Sequence, residues 1–240
     1  MQMEGQRFSV ATYNIHRCIG RDDVKDPDRI ARVIRAMDAT VIGLQEVETV
    51  AGHPRHRDQF TYVAHASGYT AIPGPTLFRP DGHYGNALLT RANILAIRRH
   101  DLTVPPHEPR GAIDAELALP RGGVRVVVTH LGLNAAERAR QIRHLVNVLD
   151  TDGNMPAVVL ADLNEWWPWG RRLRGLREHL HVGPVRPSFP APLPVLALDR
   201  VLLGPGVRLV SAKAVWDRTA RRASDHLPIR AILELTGFCR

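Results

Sequence analysis

Short apolar runs rich in Val, Ile and Leu alternate along the chain with amphipathic stretches of helical length. Asp26 followed by Pro27 is a typical helix start, because aspartate caps free backbone N–H groups and proline fits the first helical turn. This start predicts a helix over Pro27–Met37. Further helices are expected over Arg57–Ser67, Ala135–Leu149 and near Pro168–His179. Buried strands are expected over Phe8–Ile15, Thr40–Val47 and Ala157–Leu163.

Strand-like segments dominate the middle and the end of the chain. GAIDAELAL and VRVVVTHLG are expected to pair around the RGG turn at Arg121–Gly123, and short strands fill the segment from Tyr69 to Val104. Three more strands are expected at ALDRVLL, VRLVSAKAVW and LPIRAILEL. Because strand, helix and polar motif recur in both halves, we predict one α/β domain over residues 1–240. Its expected architecture is a four-layer α/β/β/α sandwich, with two mixed sheets packed face to face and helices outside.

Polar groups end several of the apolar runs. The strings are TYNIH at Thr12–His16, LQEVE at Leu44–Glu48, LADLNEW at Leu160–Trp166 and SDHLP at Ser224–Pro228. Each begins with residues that suit a buried strand and ends on carboxylate, amide or imidazole groups, which a sheet carries to its rim. We therefore expect one divalent-metal site to collect them.

Glu46 and Asn14 are candidate groups for that metal. Glu46 follows the apolar run VIGLQ, so its carboxylate is expected to emerge at the strand end, where it suits a hard cation such as Mg²⁺. Asn14 offers a neutral amide oxygen that either binds the metal or orients its water. Taken alone, Glu46 is more typical of a solvated strand end and Asn14 of a turn; the matching positions of the two at strand ends favour the metal interpretation.

Asp162 and Asn164 are two residues apart, so at a strand end they are expected to point to the same side. A carboxylate that accepts a proton from water and an amide that donates to a phosphoryl oxygen would together align a nucleophile on phosphorus. Either residue alone is also a common helix N-cap. The pair after the apolar run VVLA favours the catalytic interpretation.

Two imidazoles complete the candidate site. His226 is suited to act as general acid or base or as a donor to the phosphate, and its neighbour Asp225 to bind the metal or its water. Asp199 is the candidate to orient His226, because a buried aspartate in an apolar run needs a partner. His130 ends VVVTH, where it either caps a strand or donates to the leaving oxygen or a non-bridging oxygen.

Composition changes this picture little. The 240 residues are 44% hydrophobic with a formal charge of +8, which favours a polyanionic partner but also fits a general arginine bias. Cys18 and Cys239 are too few for a disulfide framework. No apolar stretch approaches the roughly 20 residues of a membrane span, and the N-terminus lacks the apolar core of a signal peptide. We expect a soluble, cytoplasmic monomer.

The strings TYNIH, LQEVE, YGNALLT, THLGL, LADLN, LDRVLL and SDHLP resemble, in order and character, those of the endonuclease/exonuclease/phosphatase superfamily. The resemblance spans almost the whole chain and is specific as a set. It implies a four-layer sandwich and a Mg²⁺-dependent phosphoesterase, with Mn²⁺ as a substitute. It assigns metal residues to Asn14, Glu46 and Asp225, the water-activating aspartate and phosphate-binding asparagine to Asp162 and Asn164, histidines to His130 and His226, and the histidine-orienting aspartate to Asp199.

Substrate choice stays open at this level. Arg110 either reaches a phosphate or pairs with an acid, and the sequence offers no clear acid to orient His130. Trp166, Trp167 and Trp169 either stack on a base or sugar, touch lipid, or pack. The expected substrate is a phosphate ester, in nucleic acid or a phospholipid head group. The alternative is a catalytically weak binding module for nucleic acid or anionic lipid, against which the full set of polar groups argues.

Overall fold

Two six-stranded mixed sheets form the centre of the molecule, in a computed structural model that describes residues 5–50, 58–150, 155–167, 173–183 and 185–236. In spatial order the first sheet contains β11 (Val207–Ala214), β12 (Ile229–Leu235), β1 (Arg7–Asn14), β2 (Val41–Val50), β4 (Gly82–Thr90) and β3 (Thr70–Arg79). The second contains β5 (Asn93–Asp101), β6 (Gly111–Leu119), β7 (Gly122–His130), β8 (Ala157–Asp162), β10 (Asp199–Leu203) and β9 (His181–Val182).

The described helices are α1 (Pro27–Met37), α2 (Gln59–Ser67), α3 (Ala135–Asp150), α4 (Arg174–His179) and α5 (Ala220–Ala223). The predicted bounds of α1 are confirmed, and the Asp26 side chain accepts from the Arg29 N–H at 2.8 Å, as an N-cap should. The predicted helix from Arg57 begins instead at Gln59, because Asp58 caps it. Residues 168–172 of the helix expected near Pro168–His179 lie outside the described residues.

Apolar side chains alternate between the two faces of each sheet. Val10 of β1 and Leu160 of β8 belong to the core between the sheets, whereas Tyr13 packs under α1 and α2 and Val159 packs under α3. The helices therefore cover the outer faces, and the predicted four-layer sandwich is confirmed. At the centre the sheets approach closely, since a Cβ on Gly43 would lie 2.8 Å from the Leu160 Cβ.

Candidate active site

Strand register places three of the candidate residues in one row across the second sheet. His130 of β7 pairs with Asp162 of β8 in parallel register, and Asp162 pairs with Asp199 of β10 in antiparallel register. Paired residues point to the same face. Since Val128, Leu160 and Val201 on the same strands lie in the core between the sheets, alternation directs the three polar side chains inward as well.

Asn14 brings the first sheet into contact with this row. Its Nδ2 donates to Glu46 Oε1 at 2.9 Å and to Asp162 Oδ2 at 3.0 Å. Its Oδ1 accepts from the His16 backbone N–H at 3.0 Å, which fixes the orientation of the amide. The amide nitrogen of Asn14, and not its oxygen, therefore bridges the carboxylates of Glu46 and Asp162.

A β-bulge aims Glu46 at the site. The pairing of β2 with β4 shifts register between Leu44 and Val47, and Glu46 has the left-handed backbone conformation, with φ at 59°. The expected end of the strand near Glu46 is wrong: β2 continues to Val50, and the bulge turns the carboxylate out of the strand's alternation. A bulge of this kind re-aims a side chain without ending the strand.

Asp162 and Asn164 converge through a turn rather than through strand alternation. β8 ends at Asp162 and Asn164 has φ at 50°, so a turn, and not the expected strand alternation, brings the two side chains to the same side, where both face His130 Nε2. The Asn164 N–H donates to Asp162 Oδ1 at 2.9 Å. The Asn164 Nδ2 donates to the Leu131 carbonyl at 2.8 Å and lies 3.0 Å from His130 Nε2.

A buried chain of hydrogen bonds holds His226. Its Nδ1 lies 2.7 Å from Asp199 Oδ2, which also accepts from Ser188 Oγ at 2.5 Å. Its Nε2 lies 3.9 Å from Asp162 Oδ2. Burial opposes a charge on His226, but the carboxylates of Asp199, Asp162 and Asp225, with Asp199 the strongest, together outweigh burial and raise the pKa of His226 to about 10. Asp199 thus lies where sequence reasoning placed it, whereas Ser188 carried no signal.

His130 is oriented by a cation, not by the acid that sequence reasoning sought. Arg110 Nη1 lies 3.2 Å from His130 Nδ1, and because a guanidinium only donates, Nδ1 accepts and the ring proton is on Nε2. That nitrogen lies 3.5 Å from Asp162 Oδ2. Burial lowers the pKa of His130 to about 3, against the charge of Asp162. Arg110 also pairs with Glu108 at 3.0 Å.

Asp225 lies at the open edge of the cluster. Its side chain is partly exposed, with Oδ1 3.3 Å from Ser224 Oγ and 3.9 Å from His16 Nδ1. Ser224 Oγ donates to the Asn14 carbonyl at 2.8 Å and accepts from the His226 N–H at 3.2 Å. This turn brings Asp225 and His226 to the same cluster although they are adjacent in sequence.

The donor set fits a hard divalent cation beside Glu46. Burial raises the pKa of the Glu46 carboxyl, the hydrogen bond from Asn14 opposes this, and the charges of Asp225 and Asp162 add to the rise. Oxygen ligands with surplus negative charge are what Mg²⁺ and Ca²⁺ sites provide. Ligand atoms of Asp162, Asp199 and His226 also lie within 4.8 Å of one another. Within that trio His226 and Asp199 are already hydrogen-bonded to each other at 2.7 Å, which leaves the Glu46 carboxylate as the group here that suits a hard cation.

Comparison with known proteins agrees with this geometry. Residues 11–226 match the model of the endonuclease/exonuclease/phosphatase family. The chain belongs to this family. Members of the endonuclease/exonuclease/phosphatase family are generally phosphoric ester hydrolases that depend on divalent metal.

Three relatives illustrate the likeness. YbhP of Escherichia coli is 31% identical over 251 residues, covering 95% of this chain and 96% of that protein. An endonuclease/exonuclease/phosphatase from Beutenbergia cavernae has a TM-score of 0.82 at 26% identity, covering 97% of this chain and 72% of that one. A mannosyl-6-phosphatase from Bacteroides thetaiotaomicron has a TM-score of 0.76 at 17% identity, covering 96% and 100%, and shows the shared fold.

Other residues singled out in the sequence lie outside this cluster or outside the described structure. Cys18 is buried, and burial raises the pKa of its thiol, which makes it a poor nucleophile. Trp166 and Trp167 are exposed rather than packed, and Trp169 and Cys239 lie outside the described residues. None of the described helices has the length and apolar character needed to cross a membrane.

Proposed function

We propose that this chain is a Mg²⁺-dependent hydrolase of phosphodiester bonds, with phosphomonoesters as the second substrate class. The observation that carries the proposal is the surroundings of one atom, Asp162 Oδ2. It lies 3.0 Å from Asn14 Nδ2, 3.5 Å from His130 Nε2 and 3.9 Å from His226 Nε2. The carboxylate is thus held among groups that bind phosphate oxygens, where it accepts the proton of an attacking water.

Asn164 and His130 supply a site for a phosphoryl oxygen. The His130 Nε2 carries the ring proton, and one amide hydrogen of Asn164 is used by the Leu131 carbonyl. The second amide hydrogen and the imidazole proton are then two donors only 3.0 Å apart between their nitrogens. A phosphoryl oxygen that accepts from both donors would relieve their mutual repulsion. The pair is therefore suited to stabilise the negative charge that develops on the phosphoryl oxygens.

His226 is a charged donor on the other side of Asp162. With its pKa raised to about 10 by Asp199, Asp162 and Asp225 against burial, the imidazole is protonated at neutral pH and donates from Nε2 to a phosphate or leaving oxygen. Glu46 and Asp225 would hold the cation, with Asn14 orienting Glu46. When bound, a divalent cation supplies Lewis-acid polarisation of a phosphoryl oxygen.

Hydrolysis of bis-p-nitrophenyl phosphate with Mg²⁺, and again with EDTA, tests the proposal. We expect EDTA to abolish turnover and Asp162→Asn or His226→Ala to lower kcat by roughly 10²- to 10⁴-fold, as loss of a general acid or base does. Asp81→Asn, at the exposed hairpin turn between β3 and β4, is the matched control and should keep wild-type rates. Near-normal turnover by either site variant would refute the assignment.

The alternative is a binding module of the same fold that captures nucleic acid or anionic lipid without efficient hydrolysis. A panel of DNA, RNA, phospholipid head-group esters and sugar or inositol phosphates distinguishes the two. Hydrolysis of any member in Mg²⁺ but not in EDTA supports the enzyme and identifies the substrate class. Tight binding of one member with no product in either condition supports the module.

A further inference from the structure

Large apolar side chains are exposed on the loops that carry the candidate site. Leu133 comes three residues after His130, and Trp166 and Trp167 follow Asn164. Leu193 and Val195 lie in the loop that begins at Phe189, whose ring is 4.8 Å from the His226 ring. These five apolar side chains are between 63% and 77% exposed. Apolar surface of this kind, collected around one site, is typical of an interaction surface.

A buried ionic network fixes these loops relative to one another. Arg138 Nη1 donates to the Leu133 carbonyl at 2.6 Å, and its Nη2 lies 3.3 Å from Glu165 Oε2. Arg200 Nη2 donates to the Glu165 carbonyl at 3.4 Å, and its Nε donates to the Ala197 carbonyl at 2.9 Å. These contacts tie the segments that carry Leu133, Glu165 and Ala197 to one another, and the exposed apolar side chains extend from these segments.

Arginines adjoin the apolar side chains. The Arg221 guanidinium lies 5.0 Å from the Trp216 ring centroid, and its Nη2 donates to the Pro192 carbonyl at 3.3 Å. That contact brings exposed Arg218 and Arg221 beside the Leu193 loop, whereas Arg222 is paired with Asp22 at 2.8 Å. The formal charge of the chain is +8. The expected partner is therefore apolar in part and negatively charged.

We infer that this surface docks the protein on anionic phospholipid bilayers. We name it the rim surface and define it by Leu133, Trp166, Trp167, Leu193, Val195 and Trp216. Tryptophan and aliphatic side chains beside arginine are typical of protein surfaces that insert at a lipid interface. Single-stranded nucleic acid fits less well, because Leu133, Leu193 and Val195 have no aromatic face on which a base can stack.

Sedimentation with vesicles tests the inference. We expect the full chain to bind phosphatidylglycerol vesicles, with a blue shift of tryptophan fluorescence, and to bind phosphatidylcholine vesicles weakly. Combining Trp166→Ser with Trp167→Ser should weaken binding at least about tenfold, because two large apolar side chains no longer enter the interface. Leu193→Ser should weaken it less. The matched control is Leu95→Ser, since exposed Leu95 lies near the start of β5, at the end of the sheet away from His130.

The measurement is made in EDTA, so attachment is scored without turnover and is independent of the proposed hydrolysis. Thermal unfolding of each variant establishes that the fold is kept. Absence of binding to phosphatidylglycerol would overturn the inference, as would equal binding by wild type and the double tryptophan variant. Binding of single-stranded DNA that the tryptophan substitutions weaken, without vesicle binding, would overturn it in favour of nucleic acid.

Discussion

At neutral pH His226 of the candidate site is positively charged and His130 is neutral, because their neighbours differ. Asp199 stabilises the imidazolium of His226, whereas Arg110 donates to Nδ1 of His130 and burial disfavours a second proton there. One fold thus holds a charged donor and a neutral donor on either side of Asp162. Such a division of roles between similar groups is typical of active sites.

Titration by NMR should show this difference directly. We expect the ring of His226 to stay protonated through pH 8, with a pKa near the value of about 10, and the ring of His130 to stay neutral down to its pKa of about 3. Asp199→Asn removes the nearest of the carboxylates that raise the pKa of His226, while burial, which lowers it, and the charges of Asp162 and Asp225 remain. The pKa of His226 should then fall below its wild-type value. An unchanged His226 pKa in this variant would contradict the pairing.

The same substitution should alter the pH dependence of stability. The pKa of His226 is raised on folding, so its contribution to the free energy of unfolding is complete below about pH 6.5 and is lost as pH rises toward about 10. His130 has the opposite sign, because its pKa is lowered on folding and its contribution is lost as pH falls from about 6.5 toward about 3. Urea unfolding at a series of pH values from 6 to 10 measures this dependence. The free energy of unfolding should fall less steeply with rising pH in Asp199→Asn than in wild type. An equally steep fall would contradict the contribution assigned to His226.

At the scale of elements, a buried ion pair joins β6, β7 and α3. Arg125 donates from Nε to Asp114 Oδ1 at 2.9 Å and from Nη2 to Oδ2 at 2.8 Å. It also donates to the carbonyls of Val148 and Leu149 near the end of α3, at 2.7 Å and 3.3 Å. One guanidinium therefore satisfies a buried carboxylate and part of a helix C-terminus.

Arg125→Met should lower the free energy of unfolding by about 3 kcal/mol or more, because it leaves a buried carboxylate short of its closest partner. Arg98→Met is the matched control. Arg98 contacts the same Asp114 at 3.2 Å, but its side chain is partly exposed, so the expected loss is below about 1 kcal/mol. Urea unfolding measures both. Equal losses would show that the buried geometry of Arg125 carries no special stabilisation.

The close approach of the two sheets is a second feature at the scale of secondary-structure elements. A Cβ on Gly43 would meet Leu160 Cβ at 2.8 Å and Val128 at 3.1 Å, both on the facing sheet. Gly43→Ala should therefore cost about 1 to 3 kcal/mol of stability and lower activity, because separating the sheets lengthens the contact between Asn14 and Asp162. Gly175→Ala is the control, since its Cβ would lie 3.7 Å from Ile142, an ordinary contact. Wild-type stability and activity in Gly43→Ala would contradict the close approach.

For the whole molecule, the sequence predicts those features of the candidate site that follow from the alternation of side chains along strands. Asn14, Asp162 and Asp199 lie at strand ends of a sandwich whose period-two pattern is visible in the sequence, so their convergence could be expected. The left-handed bulge at Glu46 could not, because it depends on the register of β2 against β4. The contact of Arg110 with His130 could not be predicted either. The two residues are 20 apart in the sequence and meet because β6 pairs with β7, and no local sequence pattern specifies the register of that pairing.

Which of wild type and Glu46→Gln is the more stable should depend on whether the cation is present. In metal-free protein, burial and the charges of Asp225 and Asp162 raise the pKa of Glu46, so its negative charge destabilises the folded state at neutral pH. Glu46→Gln removes that charge while its amide oxygen still accepts from Asn14. The variant should therefore unfold at a higher temperature than wild type in EDTA.

With Mg²⁺ the order should invert. A ligand that binds only the folded state stabilises it by about 2.7 kcal/mol at 100 times its dissociation constant, and Glu46→Gln forfeits most of that gain because a neutral amide is a weak ligand for a hard cation. Thermal unfolding of both proteins in EDTA and in Mg²⁺ gives the four values needed. If wild type is the more stable in EDTA, the charge repulsion is absent. If Mg²⁺ raises both unfolding temperatures equally, the cation binds elsewhere than at Glu46.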